Sequence, residues 1–238
     1  MRFGLLAALA VLLALVPTVA AAEDEARQPL IFSGGDAANP GFVAYLETED
    51  AGGDVVSCTG SLVTPDWILT AAHCLEDVVS VLVSVGTDDW RDGQVRSGVD
   101  WELHPTYAPT APLGSASSID LGLVRLDAPV NGISPVRPNL RPELPEYLQL
   151  LVVAGWGRVD AFGPVPFVLQ AGVTEATSGP DGTFDPFSCQ RPSSPEAYFC
   201  FGGLTAVTAC PGDSGGPLFS RHDPDATTGD LDTLYGVV

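Results

Sequence analysis

The chain has 238 residues, 45% of them apolar, and a mean hydropathy of +0.22, which is enough material to bury one or two hydrophobic cores. Thirty acidic residues stand against ten arginines and no lysine, so the formal net charge is −20. A surface of that sign repels nucleic acid and anionic membranes, and the sequence holds no basic patch, P-loop or zinc-ligand spacing, so nothing points to a metal or a cofactor.

Residues 1–22 read as a signal peptide: Arg2, an apolar run over 3–16, a breaker at Pro17, and small residues ending in Ala20, Ala21 and Ala22. Cleavage after Ala22 would leave a secreted, extracellular protein with no membrane attachment. An uncleaved anchor is the competing reading. Further along, strand-like runs at 78–85, 121–126, 150–154 and 234–238 alternate with segments rich in turn residues, and no long helical period occurs. That pattern predicts an all-β fold. Pro129, Pro135, Pro138, Pro142 and Pro145 interrupt regular structure, and 129–147 is assigned as an interdomain linker.

Three motifs carry chemistry. His73 lies in Thr70-Ala71-Ala72-His73-Cys74, Asp120 precedes the apolar run Leu121-Gly122-Leu123-Val124-Arg125-Leu126, and Ser214 sits in Gly212-Asp213-Ser214-Gly215-Gly216-Pro217. A serine hydroxyl is a weak nucleophile near neutral pH. It needs an imidazole to accept its proton and a carboxylate to fix the tautomer of that imidazole. Glycines beside the serine permit a tight turn that aims backbone N–H groups at a reacting oxygen. Each motif also has a plainer reading, as a core histidine, an aspartate leading into a strand, and an ordinary glycine turn. His104 and His222 lack such neighbours.

With these motifs the chain resembles the chymotrypsin/trypsin family of serine endopeptidases. The resemblance runs from Ile31-Phe32-Ser33-Gly34-Gly35 through Cys58-Thr59-Gly60-Ser61, TAAHC, His104-Pro105-Thr106-Tyr107, DLGLVRL and Ala154-Gly155-Trp156-Gly157 to GDSGGP. It implies two antiparallel six-stranded β-barrels with the active site in the cleft between them. Residues 23–30 would be a short propeptide, 31–128 the barrel carrying His73 and Asp120, and 148–238 the barrel carrying Ser214. The implied oxyanion hole is the N–H pair of Gly212 and Ser214. The substrate would be a protein or peptide.

The family pattern also pairs the cysteines as Cys58–Cys74 and Cys189–Cys200, and leaves Cys210 over from the five. The family partner of Cys210 falls in a segment that this chain does not contain. Since Tyr235-Gly236-Val237-Val238 reads as the middle of a strand, the expectation is a second barrel incomplete at its C-terminus and an intact protein that is longer. Ile31 aligns with the new N-terminus that pairs with Asp213 after activation. It follows Leu30 rather than a basic residue, and the nearest arginine is Arg27, so activation requires trimming or an activator that is not trypsin-like. Thr208 stands at the floor of the specificity pocket, which implies an uncharged residue before the scissile bond. Asp223, Asp225, Asp230 and Asp232, like Asp88, Asp89 and Asp92, lack EF-hand spacing and read as solvated loops. Two alternatives stay open: a secreted homologue that binds without catalysis, and an inactive fragment.

Overall fold

The computed structural model describes residues 35–111, 118–140, 144–159, 163–179, 198–202, 209–220 and 232–238. Among the described residues there are thirteen strands: β1 (Gly35–Asp36), β2 (Val43–Asp50), β3 (Val55–Thr64), β4 (Trp67–Thr70), β5 (Val78–Val85), β6 (Gln94–Leu103), β7 (Gly122–Leu126), β8 (Arg137–Pro138), β9 (Leu150–Gly155), β10 (Gln170–Ala176), β11 (Phe201–Gly202), β12 (Pro217–Ser220) and β13 (Thr233–Val237). The helical residues among those described form two single turns of 3-10 helix, Ala72–Cys74 and Trp90–Asp92.

Strands β2 to β7 close into an antiparallel barrel in the order β2-β3-β4-β7-β6-β5. Their sequences suit a pleated, half-buried surface. In β5, VVSVLVSV, the β-branched Val81, Val83 and Val85 point inward while Leu82 faces out. Leu46, Leu62, Ile68, Val83 and Val124 fill the barrel and are fully buried. The interior is tight: a Cβ at Gly60 would come within 2.6 Å of Ile68 Cγ2 and 2.9 Å of Leu46 Cδ1.

The remaining strands form a seven-stranded sheet in the order β1-β10-β9-β12-β13-β8, with β11 also paired to β10. Two short strands that flank the barrel in the sequence contribute to it. β1 pairs antiparallel with β10, and β8, from the proline-rich connector, pairs parallel with β13. The connector is anchored as well, since the Val136 N–H donates to Leu62 O (2.9 Å) and Val136 is buried.

Aromatic contacts join the halves. Tyr45 stacks on Trp90 with centroids 4.5 Å apart and meets Trp156 edge-on at 6.0 Å, while Phe42 meets Phe219 edge-on at 5.1 Å. Phe42, Tyr45, Trp156 and Phe219 are buried in one continuous core. Edge-on and stacked aromatic pairs are worth about 0.5–1.5 kcal/mol each beyond their buried area. The structure is therefore all-β with a closed six-stranded barrel packed against a second sheet.

Candidate active site

Strand pairing brings His73 and Asp120 together. β4 and β7 are antiparallel neighbours with Thr70 opposite Gly122, so the residues leaving β4 and those leading into β7 emerge at the same end of the barrel. His73 lies on the 3-10 turn just past β4, and Asp120 lies just ahead of β7. The approach is close enough that a Cβ at Gly122 would fall 2.7 Å from Leu75 Cδ1. His73 Nδ1 is 2.7 Å from Asp120 Oδ2, and the His73 backbone N–H donates to Asp120 Oδ1 at 2.9 Å. With Nδ1 bound to the carboxylate, Nε2 is the nitrogen left for a substrate.

The titration of the pair follows from this contact. The Asp120 hydrogen bond raises the pKa of His73 above its ordinary 6.5, burial opposes that, and the negative charges of Asp120 and Glu76 add to the rise. Burial alone would raise Asp120. The hydrogen bonds from the ring and backbone of His73 and from the backbone of Ala72 outweigh it and hold the carboxyl below 3.8. Both side chains keep solvent contact, at 44% and 29% exposure, so their coupling is moderated by water.

Ser214 is carried on the turn that precedes β12, and this turn is fastened to both halves. The N–H of Thr59 donates to Ser214 O (2.8 Å), and Thr59 Oγ1 donates to Gly212 O (2.8 Å) and accepts from the Trp156 N–H (3.3 Å). Thr70 Oγ1 in turn donates to Thr59 O at 2.8 Å. Thr59 and Thr70 are fully buried. Past the serine, the Gly215 N–H donates to Val238 O (2.7 Å) and the Val238 N–H to Gly216 O (2.9 Å), so the end of β13 clamps the same turn. Gly212 and Gly215 adopt φ of +104° and +82°, a region that L side chains rarely enter.

Neither the Gly212 nor the Ser214 N–H donates to a protein acceptor among the described residues. Likewise no hydrogen bond joins Ser214 Oγ to His73 Nε2, which lies 3.7 Å from Cys74 Sγ. Catalytic contacts of this kind often tighten only once substrate is bound. His73, Gly212 and Ser214 line one cleft of about 250 Å³.

Asp213 points away from that cleft and is completely buried. Its carboxylate accepts from the Gly157 N–H (2.7 Å) and the Cys210 N–H (2.9 Å), and burial pushes its pKa up to about 6 despite those bonds. Side chains at Gly155 or Gly157 would collide with it. No cation faces Asp213 among the described residues.

Cys58 and Cys74 form a disulfide beside His73. The only grouping of three metal-binding side chains among the described residues is Cys58, His73 and Cys74, and the disulfide removes both sulfurs from metal chemistry. Cys200 is also half of a disulfide, and Cys210 carries a thiol whose pKa is raised by burial and by Asp213. The carboxylates near the Trp90 turn are engaged internally: Asp88 accepts from the Asn39 N–H and Asp89 pairs with Arg91. The leader and propeptide, Ile31, Cys189, Thr208, Asp223, Asp225 and Asp230 lie outside the described residues. The motif Cys58-Thr59-Gly60-Ser61 was legible in the sequence, but the part played by Thr59 and Thr70 in holding the serine turn was not. A buried threonine has no chemical signature apart from its partners.

The sequence profile of the Trypsin family matches residues 32–238. This chain belongs to the trypsin family. Among the relatives of this trypsin-family chain, snake venom serine proteinase 14 of Crotalus adamanteus is 30% identical over 197 residues, covering 80% of this chain and 72% of that protein. Bovine chymotrypsin-C is 29% identical over 68% of this chain and 61% of its own length. Serine proteinase stubble of Drosophila melanogaster is 31% identical, and the match spans only 22% of it. The chain thus spans well under two thirds of several curated relatives that it matches. Among solved structures, HL collagenase superposes with a TM-score of 0.62 at 23% identity over 86% of this chain and 92% of that one, which is a likeness of fold. Neuropsin from mouse brain gives 0.58 at 26% identity over 76% and 77%.

Proposed function

We propose that this chain is the catalytic portion of a secreted serine endopeptidase, with Ser214 as nucleophile, His73 as general base and acid, and Asp120 as the carboxylate that orients the imidazole. One observation carries the reading: an imidazole fixed through Nδ1 to a carboxylate 2.7 Å away opens onto the same cleft as a serine on a glycine turn. Ser214 Oγ attacks the peptide carbonyl as its proton passes to His73 Nε2, forming an Oγ–C bond. The negative oxygen is received by the N–H groups of Gly212 and Ser214, each such donor being worth roughly 10²- to 10³-fold in rate. The imidazolium then gives its proton to the amide nitrogen and the C–N bond breaks. Water, deprotonated by His73, attacks the ester; the acid product leaves and Ser214 regains its proton.

Activation and specificity follow in the same reading. Cleavage ahead of Ile31 supplies an ammonium for Asp213, whose buried carboxylate, raised to about 6, is suited to such a partner. The residue before the scissile bond is uncharged, because Thr208 brings no charge to the pocket floor. Export agrees with the apolar leader and with the snake venom relative. The test is labelling of the processed full chain by a fluorophosphonate together with a peptide hydrolysis assay. Ser214→Ala abolishes the label and lowers turnover by roughly 10⁴-fold or more. An unlabelled but folded protein would instead be a binding homologue.

A further inference from the structure

Asp120 stands just ahead of β7, off the strand ladder, so its place depends on what holds residues 118–121. Two fastenings come from its own barrel. The His104 N–H donates to Leu121 O (2.8 Å), and buried Ser118 closes on Ala108, its Oγ donating to Ala108 O and accepting from the Ala108 N–H, both at 3.1 Å. A third crosses over from the second half: the Tyr198 hydroxyl donates to Ser118 O, 80 residues away in the sequence. The Asp120 backbone bonds to the same hydroxyl in the sense that lowers a phenol's pKa, which is the sense of an N–H donating to its oxygen. Among the described residues Tyr198 supplies the only such tie from the second half.

The segment that carries Tyr198 is itself well held. Cys200 is buried and disulfide-bonded, its N–H donates to Ser178 Oγ (2.8 Å), and its carbonyl accepts from the Thr177 N–H (2.7 Å). Phe199 lies so close to β13 that a Cβ at Gly236 would fall 2.6 Å from its Cε1. Tyr198 is not among the residues that line the Ser214 cleft, and it makes no hydrogen bond to His73 among the described residues.

We propose that Tyr198 is a positioning residue for Asp120: its hydroxyl grips the main chain at Ser118 and Asp120 and so keeps the carboxylate seated on His73. This rests on the hydrolase reading above. A phenol suits the task, because one hydroxyl can donate to a carbonyl and accept from an N–H at once. Burial raises its pKa, the Asp120 backbone bond opposes the rise, and the Asp120 charge adds to it, so the hydroxyl stays a neutral donor near neutral pH. Asp120 and Glu76 are the charges that bear on His73, and Glu76 is held separately by the Tyr107 hydroxyl (3.0 Å). A change at Tyr198 therefore reaches the imidazole by way of Asp120.

The experiment places Tyr198→Phe, which keeps the ring and removes the hydroxyl, in the processed full chain and in its Asp120→Asn variant. Alone, it is expected to lower kcat for a peptide substrate by about tenfold with KM unchanged. The acid limb of kcat/KM also moves to lower pH, toward 6.5, because a looser carboxylate raises His73 less. In the Asp120→Asn background the substitution changes neither quantity. A lowered thermal midpoint with kcat and the pH profile unmoved would make the hydroxyl a structural tie only and overturn the inference. So would a loss confined to KM, an equal loss of kcat in the Asp120→Asn background, or a Tyr198→Phe chain that does not fold. An unsubstituted chain that neither cleaves peptide nor takes up the phosphonate at Ser214 overturns the hydrolase reading itself, and this inference with it.

Discussion

In the proposed mechanism His73 must be neutral at Nε2 to accept the serine proton, and its contact with Asp120 raises the pKa at which that neutrality is lost above 6.5. As pH falls, kcat/KM is expected to decline with an apparent pKa above 6.5. Asp120→Asn removes the leading cause of the rise, so its acid limb moves to lower pH while turnover at pH 8 drops by about 10⁴-fold, since the amide no longer secures the productive tautomer. A pH–rate profile of both proteins checks this. An acid limb unmoved by the substitution would place the titrating group elsewhere. At the same scale Thr59 matters without touching chemistry, because its N–H, Oγ1 and carbonyl tie Ser214, Gly212, Trp156 and Thr70 into one network.

Among the elements, the serine turn is the least tolerant of added volume. Gly215 has φ of +82°, and a Cβ there would run into Thr70 Oγ1 and Thr59 O. Gly53, in the turn between β2 and β3, has nearly the same φ of +85° with nothing within 4 Å. Alanine at the two sites separates backbone cost from collision. Gly53→Ala should destabilise by about 1–2 kcal/mol, the left-handed penalty alone. Gly215→Ala adds roughly 1–3 kcal/mol of overpacking and also displaces Ser214, so peptide hydrolysis falls with it. Urea midpoints and turnover of the two variants give the comparison. Equal midpoints would mean that the turn is looser than its hydrogen bonds imply.

For the whole molecule the dominant feature is unbalanced charge. Against a net −20, the described residues contain three ion pairs, one of which is His73–Asp120. Most carboxylates therefore repel one another across the surface, and the folded state concentrates that repulsion. Raising salt from about 10 mM to about 0.5 M shortens the screening length from roughly 30 Å to a few ångströms. The thermal midpoint is expected to rise by a few degrees, on the order of 1 kcal/mol, as followed by calorimetry at constant pH. A midpoint that falls with added chloride would contradict this.

The strand-like runs at 78–85, 121–126, 150–154 and 234–238 correspond to β5, β7, β9 and β13 because apolar and β-branched content over a few residues is a local property. The residue types at His73, Asp120 and Ser214 were legible for the same reason: the chemistry of a side chain travels with its letter. Which of them meet is set by pairing over long separations. The register of Thr70 against Gly122 brings His73 to Asp120, and Thr59 reaches across to the serine turn. β1 joins the second sheet, and Asp50, Asp54 and Glu76 converge on the wall of the cleft. None of these leaves a trace in a window of sequence, since each depends on how two strands slide past one another before locking. Sequence by itself determined the all-β character and the reactive groups, and the tertiary structure alone decided their distances and what surrounds them.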